Sequence, residues 1–112
     1  MKDIIEYGDF AKLDMRAGCI LECVKVENAE KLYKLSVDIG EEKPRTIVSS
    51  LVDYYTAEEL VGKRIIVLAN LKPAKMRGVL SEGMLLCTES EDGKTCVLLK
   101  PETDVPPGTP VT

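Results

Sequence analysis

Five cations in a stretch without acid are the residues of this sequence best suited to bind an anion. Residues 60–81 contain no Asp or Glu, although the chain has 112 residues, 19 of them acidic and 15 basic, and a net charge of −4. The stretch therefore carries +5 and the other 90 residues −9; its cations are Lys63, Arg64, Lys72, Lys75 and Arg77. Such an island favours an anionic partner. The alternative is a solvated loop whose lysines only add solubility.

The residue types needed for most catalytic and metal sites are absent or unsuitably spaced. There is no histidine, the usual acid/base group near neutral pH, so a Ser-His-Asp or Cys-His arrangement is excluded. The four cysteines, at 19, 23, 87 and 96, form no C-x-x-C and match no common zinc template. We therefore expect reduced cysteines in the core, no catalytic site, no metal and no cofactor.

Length and terminal sequence predict a single cytoplasmic domain covering residues 1–112. Residues 1–6 show no signal-peptide pattern, and the longest apolar run, residues 65–69, is too short to span a bilayer. A domain this small buries only part of its unfolded surface, so pairing with a second copy would add stability.

Strand patterns dominate the chain. Apolar and β-branched residues predict strands over residues 16–26, 32–39, 45–51, 63–71 and 83–89, with a sixth short strand over 95–100. Gly18 predicts a bend or bulge in the first strand. Thr56 followed by Glu59 is a capping box that predicts one short helix between the third and fourth strands. The last residues, 101–112, contain four prolines and are predicted to be extended or looped.

This order is typical of an all-β OB-fold. We expect a five-stranded barrel over about residues 14–90, one short helix between its third and fourth strands, and a C-terminal extension over about 91–112. OB-fold ligands bind across the second and third strands, between the loop that follows the first strand and the loop that follows the fourth. Here these loops are residues 26–31, ending at Lys31, and residues 72–82, which hold most of the basic island. Charge and strand order thus converge on one face and favour a nucleic-acid partner.

The side chains predicted for this face favour RNA. Lys72, Lys75 and Arg77 are spaced to contact several phosphates, and Met76 can pack on a base or sugar, or else fold back onto the barrel rim. Four polar residues can bond a base or the 2′-hydroxyl that distinguishes RNA from DNA: Asn70, Ser81, Ser49 and Ser50. Single-stranded DNA binding would favour aromatic stacking platforms, and only three tyrosines follow residue 10.

Four motifs resemble the tRNA-binding domain family. Residues 9–18, D-F-A-K-L-D-M-R-A-G, are similar to its D-F-x-K-x-D-x-R-V-G, and residues 29–32, A-E-K-L, to A-D-K-L. Residues 46–50, T-I-V-S-S, resemble T-I-V-S-G. The longest match is N-L-K-P-A-K-M-R-G over residues 70–78 followed by S-E-G-M over 81–84, which resembles N-L-K-P-x-K-M-R-G-x-x-S-x-G-M. The similarity extends over nearly the whole chain.

The resemblance carries expectations about partners. The family includes the C-terminal domain or β subunit of methionyl-tRNA synthetases, free-standing tRNA-binding proteins and chaperone-like CsaA proteins. It implies a homodimer built by the C-terminal extension, and recognition of tRNA by shape near the outer corner of the L. The positions that match its tRNA-binding motifs are Lys31, Asn70, Lys72, Lys75, Met76, Arg77 and Ser81. Asp14, Arg16 and Gly18 also match the family motif, and we interpret them as structural, with Asp14 and Arg16 forming a buried pair at the start of the barrel.

The chain departs from the family pattern at Ala17, Glu30 and Ser50, which replace Val, Asp and Gly. The last change places the third-strand contacts of Ser49 and Ser50 further from the family pattern than those of the loop. The resemblance therefore implies a non-catalytic tRNA-binding protein, either free-standing or a trans-acting subunit of methionyl-tRNA synthetase. The alternative is a CsaA-type module that binds polypeptides, although the intact K-M-R-G loop favours the synthetase branch.

Overall fold

A five-stranded antiparallel sheet in the order β3-β2-β1-β4-β7 forms a nearly closed barrel in the computed structural model, which describes residues 1–112. The elements are α1 (Tyr7–Ala11), β1 (Met15–Lys25), β2 (Tyr33–Asp38), β3 (Arg45–Ser49), α2 (Ala57–Leu60), β4 (Arg64–Leu68), β5 (Ala74–Met76), β6 (Val79–Ser81), β7 (Met84–Leu85), β8 (Cys87–Glu89) and β9 (Cys96–Leu98). This architecture confirms the predicted all-β, OB-like barrel. No helix is long and apolar enough to cross a membrane.

The long strand β1 holds the barrel together because it pairs with two neighbours. Its first half, residues 15–19, pairs with β4, and its second half, residues 19–25, pairs with β2. The β1–β2 register breaks between Ile20 and Glu22, not at the predicted Gly18. Gly18 instead permits close packing, since an added Cβ would lie 3.0 Å from the Asp38 carbonyl oxygen.

The core is aliphatic, as the composition requires. Alternate residues of the strands point inward, and the largest fully buried side chains are Ile20, Leu35, Ile39, Ile47, Leu51, Leu60 and Ile65. Leu60 enters this core from α2, whose start matches the predicted capping box. The Glu59 amide donates to Thr56 Oγ1 at 3.1 Å, and the Thr56 amide donates to Glu59 Oε1 at 2.9 Å. The helix between β3 and β4 is therefore confirmed.

The C-terminal extension lies against β1. The Gly108 amide donates to the Ala17 carbonyl at 2.8 Å, the Ala17 amide to the Thr109 carbonyl at 2.9 Å, and the Val111 amide to the Met15 carbonyl at 2.8 Å. These bonds pair the backbone groups at the start of β1 that β2 does not reach, since β2 pairs only with residues 19–25. The β8–β9 hairpin spans the predicted boundary near residue 90, and Leu98 of β9 belongs to the core.

Three further features of the fold differ from the sequence prediction. The predicted fifth strand, residues 83–89, divides into β7 and β8, which lie in different sheets. Residues 72–82, predicted as a loop, form the β5–β6 hairpin, because Gly78 acts as a turn residue instead of ending regular structure. A second helix, α1, precedes the barrel and buries none of its residues, so it lacks the apolar face that reveals a helix in sequence.

Candidate nucleic-acid interface

The β5–β6 hairpin presents the centre of the basic island. Ala74 pairs with Ser81, Lys75 with Leu80 and Met76 with Val79, which leaves a two-residue turn. Arg77 and Gly78 form this turn with φ values of +53° and +83°, the signs that a type I′ turn requires. An L-residue with a side chain in this region carries a strain of about 1 kcal/mol. The chain therefore holds an arginine where Asn or Gly would be less strained.

The two faces of the hairpin differ because side chains alternate along each strand. Met76 and Val79 are half-buried and Ser81 is buried, so this face lies toward the barrel. Lys75 and Leu80 are exposed on the other face, and Arg77 is exposed at the tip. Lys75 and Arg77 are therefore presented to solvent, while Met76 lies beneath them.

Ser81 fastens the hairpin to β3. Its side chain is only 5% exposed. The Val48 amide donates to Ser81 Oγ at 2.9 Å, and Oγ donates to the Gly83 carbonyl at 3.2 Å. The hydroxyl predicted to face RNA is thus buried and already bonded, which gives Ser81 a supporting position at the base of the hairpin.

Asn70 fastens the connection that leads into the hairpin. Its Nδ2 donates to the Lys12 carbonyl at 2.7 Å, and its Oδ1 accepts from the Asp14 amide at 2.9 Å. Arg16 Nε donates to Asp14 Oδ1 at 2.8 Å, and this bond lowers the pKa of the Asp14 carboxyl. The Asp14–Arg16 pair exists as expected but is about 40% exposed, not buried, because it lies at the rim of the barrel.

Arg45 is a supporting residue that the sequence reasoning missed. Its Nη1 donates to the carbonyls of Ala69 and Glu82, which flank the hairpin on either side. Its Nε and Nη2 donate to the two oxygens of Glu41 at 2.8 and 3.0 Å, which lowers the pKa of the Glu41 carboxyl. One guanidinium therefore joins both ends of the hairpin, and no local sequence motif predicts this role.

A groove of about 450 Å³ runs beside the hairpin. Four predicted site residues line it with their side chains accessible or half-accessible: Ser49, Ser50, Lys72 and Met76. Ser81 also borders it, and most of the remaining lining is apolar, including Leu71 and Met84. An apolar groove with a few polar groups and an adjacent cation suits an unstacked base joined to its phosphate.

A second cleft, of about 480 Å³, lies between residues 28–32 and the hairpin tip, and Lys31 and Arg77 both line it. The two predicted loops therefore do meet at one surface. Lys31 Nζ is ion-paired with Asp53 Oδ2, and this hydrogen bond raises the pKa of Lys31.

The five cations of the island divide into two groups. Lys63 lies 5.3 Å from the centre of the Tyr55 ring, and Arg64 Nη1 donates to the Val105 carbonyl at 3.4 Å. Lys72, Lys75 and Arg77 make no ion pair within the chain. The cations free to bind an anion are therefore those of the hairpin and of its first connection.

Comparisons with known proteins identify the family that this chain resembles. A family model described as a putative tRNA binding domain matches residues 15–110. The methionine–tRNA ligase of Parabacteroides distasonis is 50% identical over 111 residues, covering 99% of this chain but 16% of that protein. The chain thus spans about a sixth of the length of the curated relatives it matches.

Solved structures extend the comparison. A MetRS related protein from Pyrococcus horikoshii is 40% identical with a TM-score of 0.90, covering 99% of this chain and 100% of that one. A CsaA chaperone protein from Picrophilus torridus is 31% identical with a TM-score of 0.86, covering 97% of this chain and 100% of that one.

Proposed function

The chain belongs to the tRNA-binding domain family, and we propose that it binds tRNA, without catalysing a reaction, through the β5–β6 hairpin and the adjoining Lys31 loop, residues 26–32. The observation that carries the proposal is the set of three unpaired cations, Lys72, Lys75 and Arg77, on or beside a hairpin fastened at both ends. Fixed cations beside an apolar groove contact phosphates and a base at once, which suits a folded RNA.

The contact that each predicted site residue is expected to make with RNA depends on its surroundings. The cations expected to contact phosphates are exposed and lie on the hairpin, its first connection or the Lys31 loop: Lys72, Lys75, Arg77 and Lys31. Ser49, Ser50 and Met76 border the groove and contact a base or sugar. Asn70 and Ser81 act through the hairpin that they hold.

The number of cations sets the strength of binding. Each phosphate neutralised adds about 0.7 to 0.9 to the salt dependence of the association constant. Three to four contacts therefore give a slope of about −2 to −4 and an affinity on the order of micromolar at moderate salt.

The test is a filter-binding titration with a tRNA transcript, comparing the wild type with the triple variant K72A/K75A/R77A. We expect the triple variant to lose most of its affinity and of its salt slope. A matched variant, R64A/K94A/K100A, removes the same charge from cations that line neither the groove nor the Lys31–Arg77 cleft, and it should bind nearly as the wild type does. Equal losses in both variants would refute the assignment of the hairpin.

We also propose that the protein is a cytoplasmic homodimer that works free or beside methionyl-tRNA synthetase in trans. The similarity to a MetRS related protein over 99% of this chain supports a link with methionyl-tRNA synthetase. The exposed apolar residues before β1 support a partner surface, since Ile4 is 98% and Tyr7 81% exposed. Truncation before Pro101, followed by a sizing measurement, tests whether the extension makes the dimer. A truncated chain that stays folded and dimeric would exclude the extension.

A second candidate function is binding of unfolded polypeptide. The similarity to CsaA chaperone proteins and the apolar lining of the groove favour it. It predicts salt-insensitive binding of a denatured protein that tRNA does not displace, whereas tRNA binding predicts a strong loss of affinity with salt.

A further inference from the structure

Lys31, the cation that faces the hairpin across the second cleft, is already bound to an acid. Its ammonium contacts Asp53 Oδ2, and both side chains remain more than half exposed, at 67% and 51%. An exposed pair of this kind is weak and exchanges readily with a competing anion. Lys31 can therefore exchange Asp53 for a phosphate, but Asp53 competes with every phosphate that approaches.

Asp53 also stands at a boundary of charge. On one side is the cleft lined by Lys31, Arg77 and one acid, Glu30, which leaves it a net charge of +1. On the other is a cavity of about 510 Å³ whose charged lining is three acids, Asp53 itself with Glu58 and Glu59 of α2, and one cation, Lys25, which gives it a net charge of −2. A phosphate backbone that continued past Lys31 would meet this acidic cavity, so the pair marks the edge of the surface available to an RNA.

We propose that Asp53 is a specificity-determining residue: by occupying Lys31, it keeps flexible polyanions from using that cation and reserves it for an RNA whose fold delivers a phosphate to the cleft. The inference rests on the proposed tRNA binding. An RNA held rigidly by the hairpin presents its next phosphate at a high effective concentration and displaces Asp53. A flexible strand must lose conformational entropy to do the same, so its free energy of binding is more favourable when it leaves Lys31 paired with Asp53.

The test compares Asp53→Asn with the wild type on two probes, a folded tRNA transcript and polyuridylate, between about 50 and 200 mM salt. In D53N, polyuridylate gains the Lys31 contact, so its salt slope steepens by about 0.7 and its affinity at 100 mM rises about fivefold. The tRNA already uses Lys31, so its slope stays unchanged and its affinity rises only about twofold. Selectivity for tRNA over polyuridylate therefore falls.

Two controls separate this mechanism from a general change of charge. Asp104→Asn makes the same charge change in the C-terminal extension, at a residue without an ion pair, and should alter neither probe. Lys31→Ala should abolish the effect of D53N on polyuridylate. The proposal is overturned if D53N leaves the polyuridylate slope unchanged, or if it raises affinity equally in the K31A background. Failure of the proposed function itself looks different, since the wild type would then show no salt-dependent binding of tRNA.

Discussion

Replacing Arg77 by Asn separates the stability of the hairpin from its function. Arg77 lies at the first central position of a type I′ turn with φ of +53°. Asn adopts this conformation with less strain than Arg. Relief of about 0.5 to 1 kcal/mol of strain stabilises the folded state, which for a domain of this size raises Tm by about 2 to 4 °C. The substitution thus improves the turn while it removes the cation.

The expected effect on binding has the opposite sign. Arg77 is exposed at the tip, lines the cleft with Lys31 and has no acidic partner within the chain. Loss of one phosphate contact lowers the salt slope by about 0.7 to 0.9 and weakens tRNA binding about five- to eightfold at 100 mM salt. A variant that is more stable but binds less well cannot owe its defect to unfolding.

The assays are a thermal melt by circular dichroism and tRNA titrations at four salt concentrations. Arg64→Gln is the matched control, because it also removes one arginine of the island but does so at the start of β4, where Arg64 bonds the Val105 carbonyl. We expect R64Q to bind as the wild type does. If R77N retains the wild-type affinity and slope, the hairpin tip does not contact RNA. If R77N melts well below the wild type, the strain argument is wrong.

Three further predictions concern the support of the site. Ser81→Ala leaves the buried Val48 amide without an acceptor and should cost about 1 to 3 kcal/mol in denaturant unfolding, with weaker tRNA binding as a secondary effect. The arginine partners of Asp14 and Glu41 hold both carboxyl pKa values below their unfolded values of 3.8 and 4.5. The stability that these two pairs add is therefore present above pH 4.5 and disappears as the pH falls through the folded pKa values. Melts from about pH 5 down to pH 2 should show a declining Tm, and about 1 M salt should make that decline smaller. Burial raises the pKa of Cys23 to about 11, so iodoacetamide at pH 8 should alkylate it about a hundredfold more slowly than a thiol of pKa 9, and equal rates in native and unfolded protein, followed by mass spectrometry, would contradict its burial.

Patterns local in sequence predicted the fold well. Apolar and β-branched patterns located the strands that contribute Val37, Ile47 and Ile65 to the core. The Thr56–Glu59 capping box located α2. The hairpin was missed because its strands have three residues each, too few for alternation to show, and because a glycine in a turn resembles a glycine in a loop.

Long-range contacts explain what the sequence could not predict about the site. The roles of Arg45 and Asn70 depend on bonds to residues 24 to 58 positions away in the chain, and no spacing rule reveals them. The same holds for Asp53, whose importance comes only from its contact with Lys31, 22 residues earlier. The basic island could be predicted from the sequence alone, because a local excess of charge does not depend on the fold.

The most direct test of the central claim is the salt dependence of tRNA binding by the unmodified protein. A titration with a tRNA transcript between about 50 and 200 mM salt should give an affinity on the order of micromolar at the lower end and a slope between about −2 and −4. Absence of tRNA binding, or salt-insensitive binding of unfolded polypeptide that tRNA does not compete away, would contradict the account.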